Sequence, residues 1–352
     1  MNRFDFIRPQ SVAEAVAAAS ETGSSFLAGG TNLLDLMKIG VSHPQRLIDI
    51  SRLPDLDRIE WLGDGSVRIG ALVRNSDLAY DARFALQFPA VAEALLSGAS
   101  AQLRNAATVA GNLMQRTRCA YFQDTASACN RRVPGSGCDA LGGENRLHAV
   151  LGWSDQCIAT HPSDFCVPLV ALDAVVEVEG PGGRRDIALA DFHRLPGNTP
   201  DIETDLAPGE LIVALRLPAA GAAFAAHSRY VKLRERMSYA FAVVSAAAAL
   251  RLENGVITEA RLCLGGVAAK PWRALEAEAS LTGLEPTEEA FSKAAGLALA
   301  DAVPSGDNAF KIDLAKRILV RALTLSAAGT PVEMPALPGS PFSSHSGENH
   351  VA

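Results

Sequence analysis

Four of the chain's six cysteines fall between residues 119 and 157, and that clustering constrains the fold more than any other feature. Cys119, Cys129, Cys138 and Cys157 sit in a Gly- and Arg-rich segment with little apolar periodicity. That segment lies inside a stretch opening at Arg104 and closing at Asp164. An ordered loop of this length within a compact domain needs something to hold it. Four thiolates closing on one metal centre would supply the hold. Residues 1–118 contain no cysteine and 167–352 only Cys263, so this is not the spread of a disulfide-stapled scaffold.

The spacing Cys119-x9-Cys129-x8-Cys138-x18-Cys157 lacks the close pairs of zinc fingers and the compact ferredoxin run, so spacing selects no metal. The surroundings favour an iron–sulfur cubane. Arg116, Arg118, Arg131, Arg132 and Arg146 flank the thiols, and Gly135, Gly137, Gly142 and Gly143 offer backbone N–H groups. A cluster with four thiolates is anionic and responds to such charges and hydrogen bonds. Zinc ranks second and disulfides third. Cys166 and Cys263 sit in apolar stretches and read as core thiols, and His161 beside Pro162 as a loop-shaping residue.

Two small-residue turns flank the cysteine segment or precede it. In Phe26-Leu27-Ala28-Gly29-Gly30-Thr31-Asn32-Leu33-Leu34, a strand runs through two glycines into a helix start capped by Asn or Thr. Glycines permit close approach of a ligand, and a helix start offers unpaired N–H groups to phosphate. The second turn, Thr108-Val109-Ala110-Gly111-Asn112, places one hydroxyl and one amide among small side chains. Alone, the first reads better as a plain strand-to-helix turn and the second equally as a close-packed turn; the pair makes a divided phosphate site more credible. Neither is the GxGxxG of a dinucleotide-binding Rossmann unit.

The rest of the chain reads as α+β. Ser11-Val12-Ala13-Glu14 is a capping box opening a helix to about Glu21. Strand 47–50, a hairpin over 59–70 turning at Asp64-Gly65, and helical pattern over 76–98 with Pro89 in a first turn follow. Beyond the cysteines come an apolar segment 168–174, a hairpin over 174–189 and a strand 211–217 ending at Pro218. The Ala-rich stretch 219–226 is the expected boundary. After it come a hairpin on Asn254-Gly255 and helices near 271–281, 288–300 and 307–328. Residues 331–352 are Pro/Ser-rich and read as an extended tail.

Composition narrows the classes. The 352 residues suit two or three domains, and a formal charge of −7 argues against nucleic acid as a partner. No apolar run reaches the roughly 18 residues of a membrane span. The start, Met1 to Phe6, lacks an apolar core segment, so the chain is expected to carry no export signal of its own.

With these residues in place, the chain resembles the FAD-binding (medium) subunit of the xanthine dehydrogenase family of molybdenum hydroxylases. It is most similar to the [4Fe–4S]-containing flavoprotein subunit of periplasmic aldehyde oxidoreductases. The motifs are Leu27–Leu33, the Arg104–Leu113 segment, Pro162-Ser163-Asp164 and Tyr230-Val231-Lys232, and the similarity runs from Phe4 to about Ala328. The resemblance implies a two-subdomain FAD-binding fold of the vanillyl-alcohol-oxidase (PCMH) type over 1–220, with the iron–sulfur insert at about 114–160. A CO-dehydrogenase-flavoprotein-type α+β domain over 221–330 would follow. It implies that Leu27, Ala28, Gly29, Gly30, Thr31, Asn32, Leu33, Leu34, Thr108, Gly111 and Asn112 bind FAD about its diphosphate. Asp164 would contact the adenosine side or the ribityl region, and Ile212 and Lys232 the isoalloxazine, where Lys232 would favour reduced, anionic flavin. Cys119, Cys129, Cys138 and Cys157 would hold a [4Fe–4S] cluster. Ala110 stands where the family commonly has Gly, and still leaves room for phosphate.

The function implied is electron transfer within a heterotrimer. A large molybdenum-cofactor subunit would oxidise an aldehyde, a small [2Fe–2S] subunit would relay electrons, and FAD here would pass them to an external acceptor. Localisation would be periplasmic, by co-export with a partner bearing a twin-arginine signal, with the cytoplasm as the alternative. Two rivals stand beside this: a free-standing FAD-dependent reductase or oxidase, for which the sequence offers no convincing acid/base group, and a zinc-stabilised non-catalytic scaffold.

Overall fold

The computed structural model describes residues 1–332; most of the expected tail, 333–352, lies outside the described residues. Three sheets organise the chain. β1 (Asp5–Ile7), β2 (Ser24–Leu27) and β3 (Arg46–Asp49) form a small parallel sheet in the order β1-β3-β2. Helix α1 (Val12–Ala19) packs on it, its start fixed by Ser11, whose hydroxyl accepts from Glu14 N. The Glu14 carboxylate reaches back to Gln10 N, one residue beyond the reciprocal partner a strict capping box would use. Helix α2 (Leu33–Lys38) follows the glycine turn.

The second sheet is antiparallel, in the order β4-β5-β8-β6-β7, from β4 (Ile59–Trp61), β5 (Val67–Gly70), β6 (Val175–Gly180), β7 (Gly183–Ala188) and β8 (Leu211–Leu217). The helical pattern over 76–98 resolves into three helices, α3 (Asn75–Tyr80), α4 (Ala82–Gln87) and α5 (Pro89–Ser97). The breaks fall at Asp81, which caps α4 through Phe84 N, and at Phe88, before the proline that opens α5. Short helices α6 (Ala101–Ala106), α7 (Val109–Leu113), α8 (Ala120–Gln123), α9 (Cys166–Ala171) and α10 (Leu189–Phe192) complete this part.

The Ala-rich boundary, 219–227, is a 3₁₀ segment that buries Gly221 and Phe224 rather than an open linker. The third sheet, order β12-β11-β10-β9, comprises β9 (Ser228–Leu233), β10 (Val244–Glu253), β11 (Val256–Gly265) and β12 (Trp272–Arg273). The β10–β11 turn places Asn254 and Gly255 at φ +53° and +80°, as a two-residue type I′ turn requires. Alternation along β10 splits its side chains between two cores. Ala247 and Ala249 join the large core that holds α5 and α9, while Ala246, Ala248 and Leu250 pack beneath α11 (Leu275–Leu281), α12 (Glu288–Ala298) and α13 (Phe310–Ala327). Cys166 and Cys263 are buried in the large core, as core thiols should be. Among the described residues no helix is long and apolar enough to cross a membrane.

The cysteine segment has almost no regular structure, and polar side chains organise it. Asn130 Oδ1 accepts from Gly137 N at 2.8 Å, Ser136 Oγ from Cys129 N at 3.1 Å and Asp139 Oδ2 from Ala128 N at 2.7 Å. Its far end is fixed to the start of α13. The buried Lys311 ammonium donates to Leu147 O, His148 O and Gly266 O at 2.9, 2.8 and 2.7 Å. Asn308 Nδ2 donates to His148 O and Ala149 O at 3.1 and 3.2 Å.

Candidate functional site

The glycine turn after β2 and the Thr108 turn meet in space. A Cβ on Gly29 would stand 2.1 Å from Ala106 O, so the two backbones touch where only a glycine fits. Gly30 has φ +73°, a left-handed conformation that turns the chain into α2. The second turn is docked by Asn75 N to Ala107 O at 2.9 Å and Val109 N to Val73 O at 2.9 Å. Thr108 caps α7, its Oγ1 accepting from Gly111 N at 3.2 Å. Asn32 occupies the cap position of α2 but makes no cap hydrogen bond. Its Oδ1 accepts instead from Arg116 N at 3.0 Å, tying the first turn to the start of the cysteine segment.

A cleft runs over both turns in two lobes. One, about 380 Å³, is lined by Leu27 to Leu33, Thr108, Gly111 and Ile212. The other, about 470 Å³, is lined by Asn75, Asn112, Arg118, Asp164, Lys232 and Tyr239 among others. Thr31, Asn32 and Gly111 line both, so the lobes join over the turns. Each lobe has the size of a small-molecule pocket. Four buried polar atoms in the larger lobe lack any partner: Asn32 Nδ2, Asn75 Oδ1, Arg104 Nε and Arg118 Nε. Unpaired buried groups are costly, and a bound polar ligand would satisfy them. A long molecule with two aromatic ends and a diphosphate waist fits this cleft.

Asp164 closes the larger lobe. Its carboxylate accepts from Tyr230 OH at 2.6 Å and Lys232 Nζ at 2.8 Å, and Lys232 also reaches Ser97 O at 3.2 Å. Burial, then the Asp164 charge, pushes the Tyr230 hydroxyl well above its ordinary pKa, so it stays a neutral donor. Lys232 is therefore neutralised by Asp164 rather than left as a free charge.

All four clustered cysteines line one small cavity, together with Asn130, Arg131 and Gln156, and none forms a disulfide. Among the described residues, no three of the four sulfurs belong to a set of His, Cys, Asp or Glu donors lying within 4.8 Å of one another. A tetrahedral zinc with thiolates at about 2.3 Å would hold its sulfurs roughly 3.8 Å apart. A cubane, with one thiolate on each of four irons, holds them farther apart. Burial pushes the Cys119 thiol up to about 11, so a thiolate there needs a cationic centre to keep it ionised. His148 Nε2 lies 3.2 Å from Cys119 Sγ, and Arg131, which lines the same cavity, pairs with Glu203 at 2.8 Å. Four cysteines around one cavity are the donor set that a four-iron cluster takes.

The expected flavin contacts fall as follows. Leu27 to Leu33, Thr108, Gly111, Asn112, Asp164, Ile212 and Lys232 all line the cleft. Leu34 lines neither lobe; it packs behind Gly30, where a Cβ would meet its Cδ1 at 2.8 Å. Ile212 and Lys232, expected against the same ring, line different lobes. The arginines around the cysteines are mostly occupied. Arg116 and Arg131 pair with Glu203, Arg146 with Glu235, and Arg132 donates to the carbonyls of Tyr121, Phe122 and Ser127. Only long-range folding shows that His161 and His193 meet, their ring centroids 4.2 Å apart, with Cys166 beside them.

Fold and cleft together suit a protein that binds a long dinucleotide-like ligand across two turns. Residues 2–220 match the family described as the FAD binding domain in molybdopterin dehydrogenase, and 229–325 match the CO dehydrogenase flavoprotein C-terminal domain. The chain belongs to the FAD-binding medium subunits of the molybdenum hydroxylase family, and is an oxidoreductase subunit. It is 50% identical to the aldehyde oxidoreductase FAD-binding subunit PaoB of Escherichia coli, over 93% of this chain and 99% of that one. It is 29% identical to the carbon monoxide dehydrogenase medium chain of Hydrogenophaga pseudoflava, over 93% and 98%. The solved carbon monoxide dehydrogenase from that organism superposes with a TM-score of 0.73 at 29% identity, covering 93% of this chain and 98% of that one.

Proposed function

We propose that this chain is the FAD and iron–sulfur electron-transfer subunit of a molybdenum-dependent aldehyde oxidoreductase. The observation that carries the reading is the two-lobed cleft joined over two touching glycine turns, with four unpaired polar atoms among its lining side chains. Bound FAD would accept electrons pairwise and release them to an external acceptor. The chain's own part is to hold it. N–H groups of the turns at Gly29–Asn32 and Thr108–Asn112 would grip the diphosphate, Ile212 would cover the adenine in the smaller lobe, and the Asp164–Lys232 pair would face the ribityl and ring in the larger. Asp164 keeps Lys232 and Tyr230 oriented, and burial of the network excludes water.

Cys119, Cys129, Cys138 and Cys157 would bind one [4Fe–4S] cluster, a reading supported by their shared cavity and by sulfur spacing too wide for a single ion. Aldehyde chemistry and a heterotrimer with a large molybdenum subunit and a small [2Fe–2S] subunit rest on the likeness to PaoB. Periplasmic location through a partner's export signal is part of the same proposal and rests on the sequence resemblance alone. The test is a visible spectrum of the purified complex with flavin and iron quantitation. One FAD and about four irons on this chain are expected. A folded, colourless, iron-free preparation would refute it, and zinc in place of iron would refute the cluster alone.

A further inference from the structure

We propose that Arg118, supplied by the cysteine segment, is the cation facing the flavin ring, and that it rather than Lys232 provides the charge that stabilises the reduced ring. This rests on the FAD reading above. Arg118 lines the larger lobe with Pro162, Asp164, Tyr239 and Phe241, and it also lines the small cavity behind that lobe. It is not among the residues where the lobes join, so it stands on the ring side of the diphosphate.

The lobe's other cations are held by partners within the protein, Lys232 by a carboxylate and Arg104 and Arg236 by backbone carbonyls. Lys232 is neutralised by Asp164 at 2.8 Å, Arg104 donates to Gly98 O at 2.7 Å, and Arg236 donates to Tyr239 O. Arg118 makes no hydrogen bond and no ion pair among the described residues. Its Nε is buried without a partner, and its guanidinium rests 4.9 Å from the Phe241 ring centre. A half-buried guanidinium left uncompensated costs stability unless a negative charge arrives. Reduction of a flavin places such a charge on its pyrimidine edge, and a cation in a low-dielectric cleft stabilises it. Arg118 directly precedes Cys119, so the segment that would hold the cluster also furnishes this contact.

The experiment compares wild-type complex with Arg118→Gln and Arg118→Lys. Flavin content, iron content, flavin midpoint potential and sulfite affinity (read as bleaching of flavin absorbance) are measured. For Arg118→Gln, flavin and iron are expected to remain, the potential to fall, and sulfite affinity to drop about tenfold or more, within reach of one charge at protein dielectric. Arg118→Lys should recover most of the sulfite affinity. Unchanged potential and sulfite affinity in a flavin-replete Arg118→Gln would overturn the proposal. If that variant loses FAD, ADP affinity of the apoprotein decides. An unchanged value supports a ring-side contact, and a tenfold loss assigns Arg118 to the diphosphate and overturns it. A wild-type complex without flavin would instead sink the underlying FAD reading.

Discussion

The touching turns make Gly29 the most exacting test of the cleft. In Gly29→Ala the new methyl would lie 2.1 Å from Ala106 O, 2.9 Å from Ala106 C and 3.2 Å from Ala107 Cα. All three are backbone atoms, held by Asn75 N to Ala107 O at 2.9 Å and by the packing of α6, so no rotamer change relieves the overlap. Overpacking of this kind typically costs about 1–3 kcal/mol, and so deep an overlap belongs at the upper end. The relief available is separation of the two turns, and that spoils the waist where Thr31, Asn32 and Gly111 converge. If about 3 kcal/mol of strain is drawn from ligand binding, FAD affinity falls by roughly two orders of magnitude. Gly63→Ala is the control, because nothing lies within 4 Å of the position a Cβ would take there. The assay is fluorescence of FAD released by dilution from purified variants, with thermal unfolding alongside. Gly29→Ala retaining stoichiometric FAD with wild-type affinity would refute the clasp.

Four further outcomes are expected. Replacing any one of Cys119, Cys129, Cys138 or Cys157 by Ser should abolish bound iron while leaving FAD, because the cavity they share is separate from the cleft; iron analysis and the flavin spectrum check this. Asp164→Ala should leave Lys232 buried and unpaired, costing about 3–5 kcal/mol, and a variant with unchanged melting temperature would contradict the burial of that pair. His193 is buried and its pKa is pushed down to about 4 by burial, so it binds its proton in the unfolded chain first. Stability should therefore fall as pH drops from about 6.5 to about 4, with His193 contributing on the order of 3 kcal/mol. His193→Phe should flatten that loss, and equal losses between pH 7 and pH 5 in both proteins would exclude the histidine as the cause. Lys311→Met removes the donor shared by three carbonyls, and thermal unfolding should shift down by roughly 5 °C or more, with iron content falling as residues 147 and 148 loosen.

What the sequence revealed and what it hid divide along a physical line. Local chemistry was legible. Glycines adjoining Thr and Asn mark a turn wherever they occur, Asn254-Gly255 specifies a hairpin, and β8 reads correctly over 211–217 because a largely apolar run, broken only by Arg216, ends at a proline. The four cysteines, clustered in sequence, also line one cavity in space. Whatever depended on which charge meets which could not be read. Five arginines near the thiols suggested a basic shell for an anionic cluster, yet Glu203, far along the chain, occupies two of them and backbone carbonyls a third. Lys232 carried a motif and looked like the flavin's cation until folding set Asp164 against it. Arg118 carried no motif, and it stands out only after folding: among the described residues it is the lobe cation with no hydrogen bond and no ion pair. Charge pairing is a property of the whole fold, so a residue's neighbours in sequence record where it is anchored, while its partners in space decide whether its charge is available for function.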